Sequence, residues 1–398
     1  MKLVIIGAGI VGMTIAKSLL EKKMYKGDQI LILDKYSIPS NGTSTHNSGV
    51  LHAGLYYDPG SLKARLSIEG GKKLKKWCHE NNLPLLECGK LLIPFNKIDS
   101  SRLDKIEINA KKNGCSVKIL DYAEATNIQE GLIKKDKFLW SPKTSVFSPK
   151  LIMEKLYLFL KENGVEFRKI STIKDDYMNK KLLLENKEFI SYQKYVNCAG
   201  SGSLSIAKTV TSKFDHLTIL PFLGEYGIQK SGIKIKTNLY PVPEPELPFL
   251  GIHLTPRIND STLIGPNAIP SIKSDVQGLD VNDFKRLPSN ILDNIILFSL
   301  NKQNFRKHAI NELTLNTEEK FLKNSFKFFQ KKYVKDFKLS MDKSTYGIRA
   351  QLVDKKTYKF VNDFIFEEID GNIHIVNAVS PAFTASFSLA DFITDKLK

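Results

Sequence analysis

An apolar run, Leu3-Val-Ile-Ile6, breaks at Gly7-Ala-Gly-Ile-Val-Gly12 and gives way to a helical stretch. A second apolar run, from Gln29 to Leu33, ends in Asp34. Continuous apolar character, then helical spacing, then continuous apolar character predicts a βαβ unit. Apolar Leu62, Leu66, Leu74 and Trp77 against a basic outer face predict a helix over 60–82. A strand is expected over 86–94, and an amphipathic helix over 99–113 stopped by Asn113-Gly114. A third helix is expected over 149–163, with Pro149 near its start. Residues 165–170 read as a strand, and 190–200 as a strand running into Cys198-Ala-Gly200. Strand signals and prolines over 218–270 predict an antiparallel sheet. Residues 280–337 read as helical and lysine-rich, 364–369 and 373–376 as strands, and 380–386 as the opening of a last helix.

Gly7, Gly9 and Gly12 form a G-x-G-x-x-G turn inside the βαβ unit, where such a turn holds a dinucleotide. Gly7 permits the tight turn, Gly9 lets a pyrophosphate approach the backbone, and Gly12 lets helix and strand pack closely. Amides at the helix start face the phosphates. Asp34 follows Gly12 by 22 residues, where a carboxylate takes two ribose hydroxyls. It would repel a 2′-phosphate, which disfavours NADP. The motif leaves NAD and FAD open.

The other end of the chain bears on that choice. A loop with Ser380 and Pro381 precedes a helix of small residues, so a positive dipole end is presented there. In two-domain flavoproteins such a helix points at the flavin ring and stabilises its reduced anion, which favours FAD. The expected fold class is α/β, with a Rossmann-like cofactor domain and an antiparallel-sheet substrate domain. The cofactor domain is discontinuous, over 1–85, 145–210 and 341–398. The substrate domain takes 86–144 and 211–340.

Composition narrows the setting. No run of 18 apolar residues exists in the chain, and the N-terminus reads as the first strand rather than a signal peptide. Cys78, Cys88, Cys115 and Cys198 are scattered, without metal or disulfide spacing, so a reducing, cytoplasmic setting and no metal are expected. The net charge is +17. The lysines are spread rather than clustered with aromatics, so no nucleic-acid partner is expected. Two readings of the charge stay open: peripheral attachment to the inner face of a membrane, and a lysine-rich composition that simply solvates the surface. A positive field also gathers an anionic substrate.

Several uncommon strings then stand out: His46-Asn-Ser-Gly-Val50, Gly54-Leu-Tyr-Tyr57, Pro59-Gly-Ser-Leu-Lys-Ala64, Cys88-Gly-Lys-Leu91, Tyr240-Pro-Val-Pro243, Thr255-Pro-Arg257, Gly265-Pro-Asn267, Gly347-Ile-Arg-Ala-Gln351 and Ser380-Pro-Ala382. With them the chain resembles the D-amino-acid-oxidase type of FAD oxidoreductase, and within it the L-2-hydroxyglutarate dehydrogenases. The family's Gly-Pro-Ala-Gly-Val-Arg reads Ser344-Thr-Tyr-Gly-Ile-Arg349 here, so the approach to the arginine is bulkier.

The resemblance implies oxidation of an L-2-hydroxy dicarboxylate by hydride transfer to FAD, with electrons passed to a quinone or another acceptor. That chemistry needs cations for carboxylates, and Arg349 and Arg257 are the candidates. It needs a base titrating near neutrality, for which His253 and His52 are the candidates. Strand alternation puts His253, Thr255 and Arg257 on one face. Lys63, in its family-like string, joins the catalytic candidates. The cofactor set is Gly7, Gly9, Gly12, Asp34, Lys35, Thr45, His46, Asn47, Ser48, Ala199, Gly200, Arg349, Ser380, Pro381, Ala382 and Thr384. His79, His216 and His308 lie in polar contexts and read as surface. An amino-acid or glycine-type oxidase and a flavin-binding RNA-modifying protein are the competing functions.

Overall fold

The expected βαβ unit is the middle of one of two eight-stranded sheets. Strands Lys2–Ile6 and Ile30–Asp34 flank helix Ile10–Glu21 in the chain and pair in parallel, Ile5 opposite Ile32. The computed structural model describes residues 2–36, 42–170, 173–176, 179–184, 187–244, 249–275, 281–313 and 317–398. On its other side Lys2–Ile6 pairs in parallel with Phe189–Asn197, which in turn pairs with Asn372–Asn377 near the C-terminus. Beginning, middle and end of the chain therefore share one sheet.

The continuous apolar strands follow from burial on both faces. Leu3, Ile5 and Ile32 pack among Met13, Ile15, Met153, Leu156 and Leu389 of the helices on one side. Val4, Ile6, Leu31 and Leu33 pack against Leu182, Tyr192 and Tyr195 on the other. Gly12 is required by this packing, because a Cβ there would collide with the Gly7 carbonyl and press on the Cys198 sulfur. The last helix, Ala382–Lys396, lies beside the first: the Thr14 hydroxyl donates to the Ser386 carbonyl at 3.2 Å, and Ser18 to the Asp391 carboxylate at 2.6 Å.

Above this layer stands a second sheet, in the order Lys338–Met341, Gly227–Ser231, Thr262–Gly265, His253–Pro256, Asn238–Pro241, Lys90–Ile93, Phe138–Ser141 and Lys118–Leu120. It departs from the expected antiparallel pattern at one place, where Asn238–Pro241 runs parallel to Lys90–Ile93. A long stretch of chain rather than a hairpin joins those two strands, which is what parallel pairing requires.

The strand expected over 86–94 is two strands. Leu85–Leu86 joins a small sheet with Ser145–Phe147, and Lys90–Ile93 joins the upper one. The break falls at Gly89, whose φ of +68° and close approach to the Trp140 ring exclude a side chain.

A third sheet links the layers. Leu217–Gly224 pairs along its length with Gly347–Asp354, placing Arg349 opposite Phe222. The boundary expected at 341 therefore runs through paired backbone: 347–354, grouped with the cofactor domain from sequence, is held by a strand grouped with the substrate domain. The lysine-rich stretch is helical over Val281–Leu300, Phe305–Leu313 and Thr317–Phe326, with residues 280 and 314–316 outside the described residues.

Candidate active site

One elongated cavity of about 1220 Å³ runs between the layers. It exceeds the roughly 300–1,000 Å³ typical of small-molecule pockets and so has room for a dinucleotide and a substrate together. One end is lined by Gly7, Gly9, Asp34, Lys35, Ala199 and Gly200, the middle by His46, Asn47, Ser48 and the start of the last helix, and the other end by His52, Tyr226, Tyr240, Phe249, His253 and Arg349.

The first end is built from the strand-to-helix turn. Gly7 sits at φ +114°, and a Cβ there would collide with the Cys198 carbonyl, so only glycine fits. Asp34 ends the second strand. Its carboxylate accepts from the Ala8 amide at 2.7 Å and from the Tyr36 amide at 2.8 Å. Burial raises its pKa, and those two amides offset only part of the rise. Two amide contacts leave the carboxylate acceptor capacity for a ribose.

In the middle, His46 Nδ1 lies 3.1 Å from the Gly42 carbonyl. Asn47 closes its own turn, accepting from the Gly49 amide at 3.0 Å and donating to the Ser44 carbonyl at 2.9 Å. Ser380, Pro381, Ala382 and Thr384 line the wall where the last helix begins, its positive end toward the cavity. The Thr384 hydroxyl accepts from the His52 amide at 3.2 Å.

At the far end, His253 Nδ1 is 2.8 Å from the Gly251 carbonyl. A carbonyl only accepts, so that nitrogen carries the proton and Nε2 is left with its lone pair. Nε2 is buried without a hydrogen-bond partner among the described residues, as is His52 Nδ1. Burial, aided by Lys90 and Arg349, depresses the His253 pKa to about 3. His52 is held well below the ordinary histidine value by burial, with Lys90, His253, Lys63 and Arg349 adding to it. Both imidazoles are therefore neutral at physiological pH, and neither titrates near neutrality as expected from sequence, because burial in this cation-flanked pocket disfavours the imidazolium. Arg349 lies over the Phe249 ring at 5.4 Å. The Tyr226 phenol, pushed up to about 12 by burial against the opposing pull of Arg349, stays a neutral hydrogen-bonding group.

Other candidates lie apart from this wall. Arg257 is not among the residues lining the cavity, because the strand carrying His253 ends at Pro256 and Arg257 forms the following turn, its amide bonded to the Ser261 carbonyl at 2.8 Å. Lys63 also stands behind the wall, donating to the Asn362 carbonyl at 2.8 Å and lying over the Tyr57 ring at 5.1 Å. Burial lowers its pKa to about 8. Thr45 and Gly12 likewise do not line the cavity. His308, expected at the surface, stacks on Phe249 at 4.7 Å and lines the cavity. Its polar sequence context belongs to the outer face of its helix.

The family model described as FAD dependent oxidoreductase matches residues 2–396. The chain belongs to that family of FAD dependent oxidoreductases. Among curated relatives, the mitochondrial L-2-hydroxyglutarate dehydrogenase of Caenorhabditis briggsae is 32% identical over 99% of this chain and 92% of its own length. The human protein of that name is 30% identical over 100% of this chain and 88% of its own. Among solved structures, L-alpha-glycerophosphate oxidase from Mycoplasma pneumoniae with FAD bound covers 100% of this chain and 94% of its own at 18% identity, with a TM-score of 0.72. Glycine oxidase from Geobacillus kaustophilus covers 100% and 94% at 14% identity, with a TM-score of 0.73. These two likenesses show the shared fold. The cofactor of this FAD oxidoreductase fits the residues present: a glycine turn no Cβ could occupy, a carboxylate with acceptor capacity and a helix start along one continuous cavity.

Sequence reasoning passed over Tyr226, Tyr240, Phe249 and Lys90. Lys90 carried a legible signal, a cation at the head of the run Leu91-Leu-Ile93, in a strand buried throughout. Tyr240 opens the family-like string Tyr240-Pro-Val-Pro243 but received no role, since a buried tyrosine in a strand reads first as core.

Proposed function

We propose that the protein oxidises an L-2-hydroxy dicarboxylate of the L-2-hydroxyglutarate class to its 2-oxo acid, and that the electrons leave to a quinone or another acceptor at a membrane surface. The observation that carries this reading is the far end of the cavity. Two buried neutral histidines stand there with Arg349 on the cavity wall, and behind the wall lie Lys63 and Lys90, whose pKa values burial lowers to about 8 and about 7. A cationic pocket with a base suits a hydroxy dianion. The names of the relatives favour a hydroxy acid over an amino acid.

In this reading the glycine turn holds the FAD diphosphate, Asp34 the adenosine ribose, and the start of the last helix the flavin. Bound FAD supplies the hydride acceptor. Arg349 holds a substrate carboxylate, its planar fork matching both oxygens. His253 Nε2 takes the hydroxyl proton as the C–H bond gives up its hydride, and the Gly251 carbonyl steadies the imidazolium formed. His52 orients the substrate hydroxyl. Lys307, Lys323 and Lys327 line the outer cavity and draw the dianion in.

The membrane assignment rests on the charge of +17 and on helix Val281–Leu300. That helix buries Asn290, Asp293 and Leu297 and turns Ile291, Leu292 and Ile295 outward, more than half exposed. Lys302, Arg306 and Lys307 follow it, and such an apolar stripe beside basic residues suits an anionic bilayer.

Anaerobic titration of the yellow holoenzyme tests the reading. L-2-hydroxyglutarate is expected to bleach the visible flavin band, and glycine to leave it. Bleaching by glycine alone, or a spectral response only to RNA, overturns it. Co-sedimentation with phosphatidylglycerol vesicles, lost in Ile291→Asp/Ile295→Asp, tests the membrane part.

A further inference from the structure

Lys90 is fully buried, the first residue of a strand in which every residue is buried. No carboxylate lies within 4 Å of it among the described residues; its ammonium reaches only the Tyr56 hydroxyl, at 3.4 Å. It lies instead 4.2 Å from the centre of the Tyr240 ring and 5.2 Å from that of Tyr56. The His253 imidazole stacks on the same Tyr240 ring, with centroids 3.9 Å apart and planes inclined by 16°. An imidazole that close covers one face of the phenol, so the ammonium takes the other. The order is Lys90, Tyr240, His253.

Register makes this arrangement. Asn238 pairs with Lys90 and Tyr240 with Leu92 in the one parallel pair of the upper sheet, and Tyr240 pairs beside the strand that begins at His253. Parallel pairing thus brings a lysine, a tyrosine and a histidine from three strands into one column.

We infer that Lys90 is a positioning residue which acts through the Tyr240 ring to hold His253 in its neutral, proton-accepting form. One aromatic face binds a cation favourably, but cations on both faces repel across a dry ring. A neutral imidazole stacks there without that cost. Once His253 has taken a proton, the same repulsion favours its release. The charged and titratable groups facing His253 are Lys90, Arg349, His52 and Tyr240. Those facing Lys90 are Tyr56, Tyr240, His52 and the Cys88 thiol; burial lowers the Lys90 pKa to about 7, so the lysine is charged through the acid range in which His253 titrates. The inference rests on the base role proposed for His253, but the stack itself does not.

The test uses wild-type, Lys90→Met and Lys90→Arg holoenzymes, with Tyr240→Leu as a second way to break the column. Histidine NMR follows the His253 titration, assigned with His253→Asn, and stopped flow follows the acid limb of flavin reduction by L-2-hydroxyglutarate. Met fills the volume of the lysine stem without its charge, so melting temperature and flavin content are expected to hold. In Lys90→Met and Tyr240→Leu the His253 titration and the acid limb are expected to move upward together by about half a pH unit or more, while Lys90→Arg stays at the wild-type position. An unmoved His253 titration in folded Lys90→Met or Tyr240→Leu overturns the inference. A titration that moves while the acid limb stays fixed upholds the column and removes the base role from His253.

Discussion

The two ends of the cavity handle polar groups in opposite ways. At the glycine-turn end, polar groups are paired within the chain: Asp34 takes two backbone amides, and Ser44 accepts from the Ile10 amide at 3.0 Å. At the histidine end, two imidazole nitrogens are buried without partners among the described residues, and a lysine is buried with no carboxylate among them in reach. Burying unpaired polar groups costs stability, so a fold that keeps them is organised for a partner that arrives later. The first end is shaped by folding and keeps only spare acceptor capacity for its cofactor, and the second is completed by substrate.

The sharpest way to break the first end is Gly12→Val. Its side chain collides with the Gly7 carbonyl, and the expected outcome is loss of flavin and of soluble folded protein, read by absorbance and circular dichroism. Next in size, His253→Ala is expected to slow single-turnover flavin reduction on the order of a hundredfold or more, with flavin content unchanged. Near-normal reduction would move the base to His52. Arg349→Lys keeps the charge but loses the fork, and a loss of a few kcal/mol in kcat/KM is expected.

A smaller effect concerns pH and stability. Burial holds His253 at about 3 and His374 at about 4, below the roughly 6.5 of an unfolded chain. The unfolded chain then binds more protons in that window, so stability is full above about pH 6.5 and falls as pH drops toward 4. Melting temperature against pH should show this slope, reduced in His374→Gln. A flat profile would contradict the buried neutral histidines. Smallest of all, raising ionic strength should increase KM severalfold with little change in kcat, because the lysines of the cavity mouth act at long range.

The same comparison explains what the sequence made legible. The cofactor end is local: strand, glycines, helix and acid lie within the first 34 residues, so spacing alone exposes them. The substrate end is assembled from afar. His52, Lys90, Tyr240, His253 and Arg349 come from separate segments, and only pairing register joins them. Arg257 was grouped with His253 by strand alternation, which fails where the strand ends at Pro256. His308 looked exposed because helix periodicity does not say which neighbour covers a face. Residues 217–224 and 347–354, grouped with different domains from sequence, form one antiparallel pair.

The central claim, that the histidine end awaits a dianion, meets its most direct test in stopped-flow flavin reduction under anaerobic conditions. L-2-hydroxyglutarate is compared with L-2-hydroxybutyrate, which keeps the hydroxy acid but lacks the second carboxylate. Saturable, rapid reduction is expected with the first, and a rate constant per molar at least about a hundredfold lower with the second, because one charge-assisted contact of a few kcal/mol is missing. Equal rate constants for the two would contradict it.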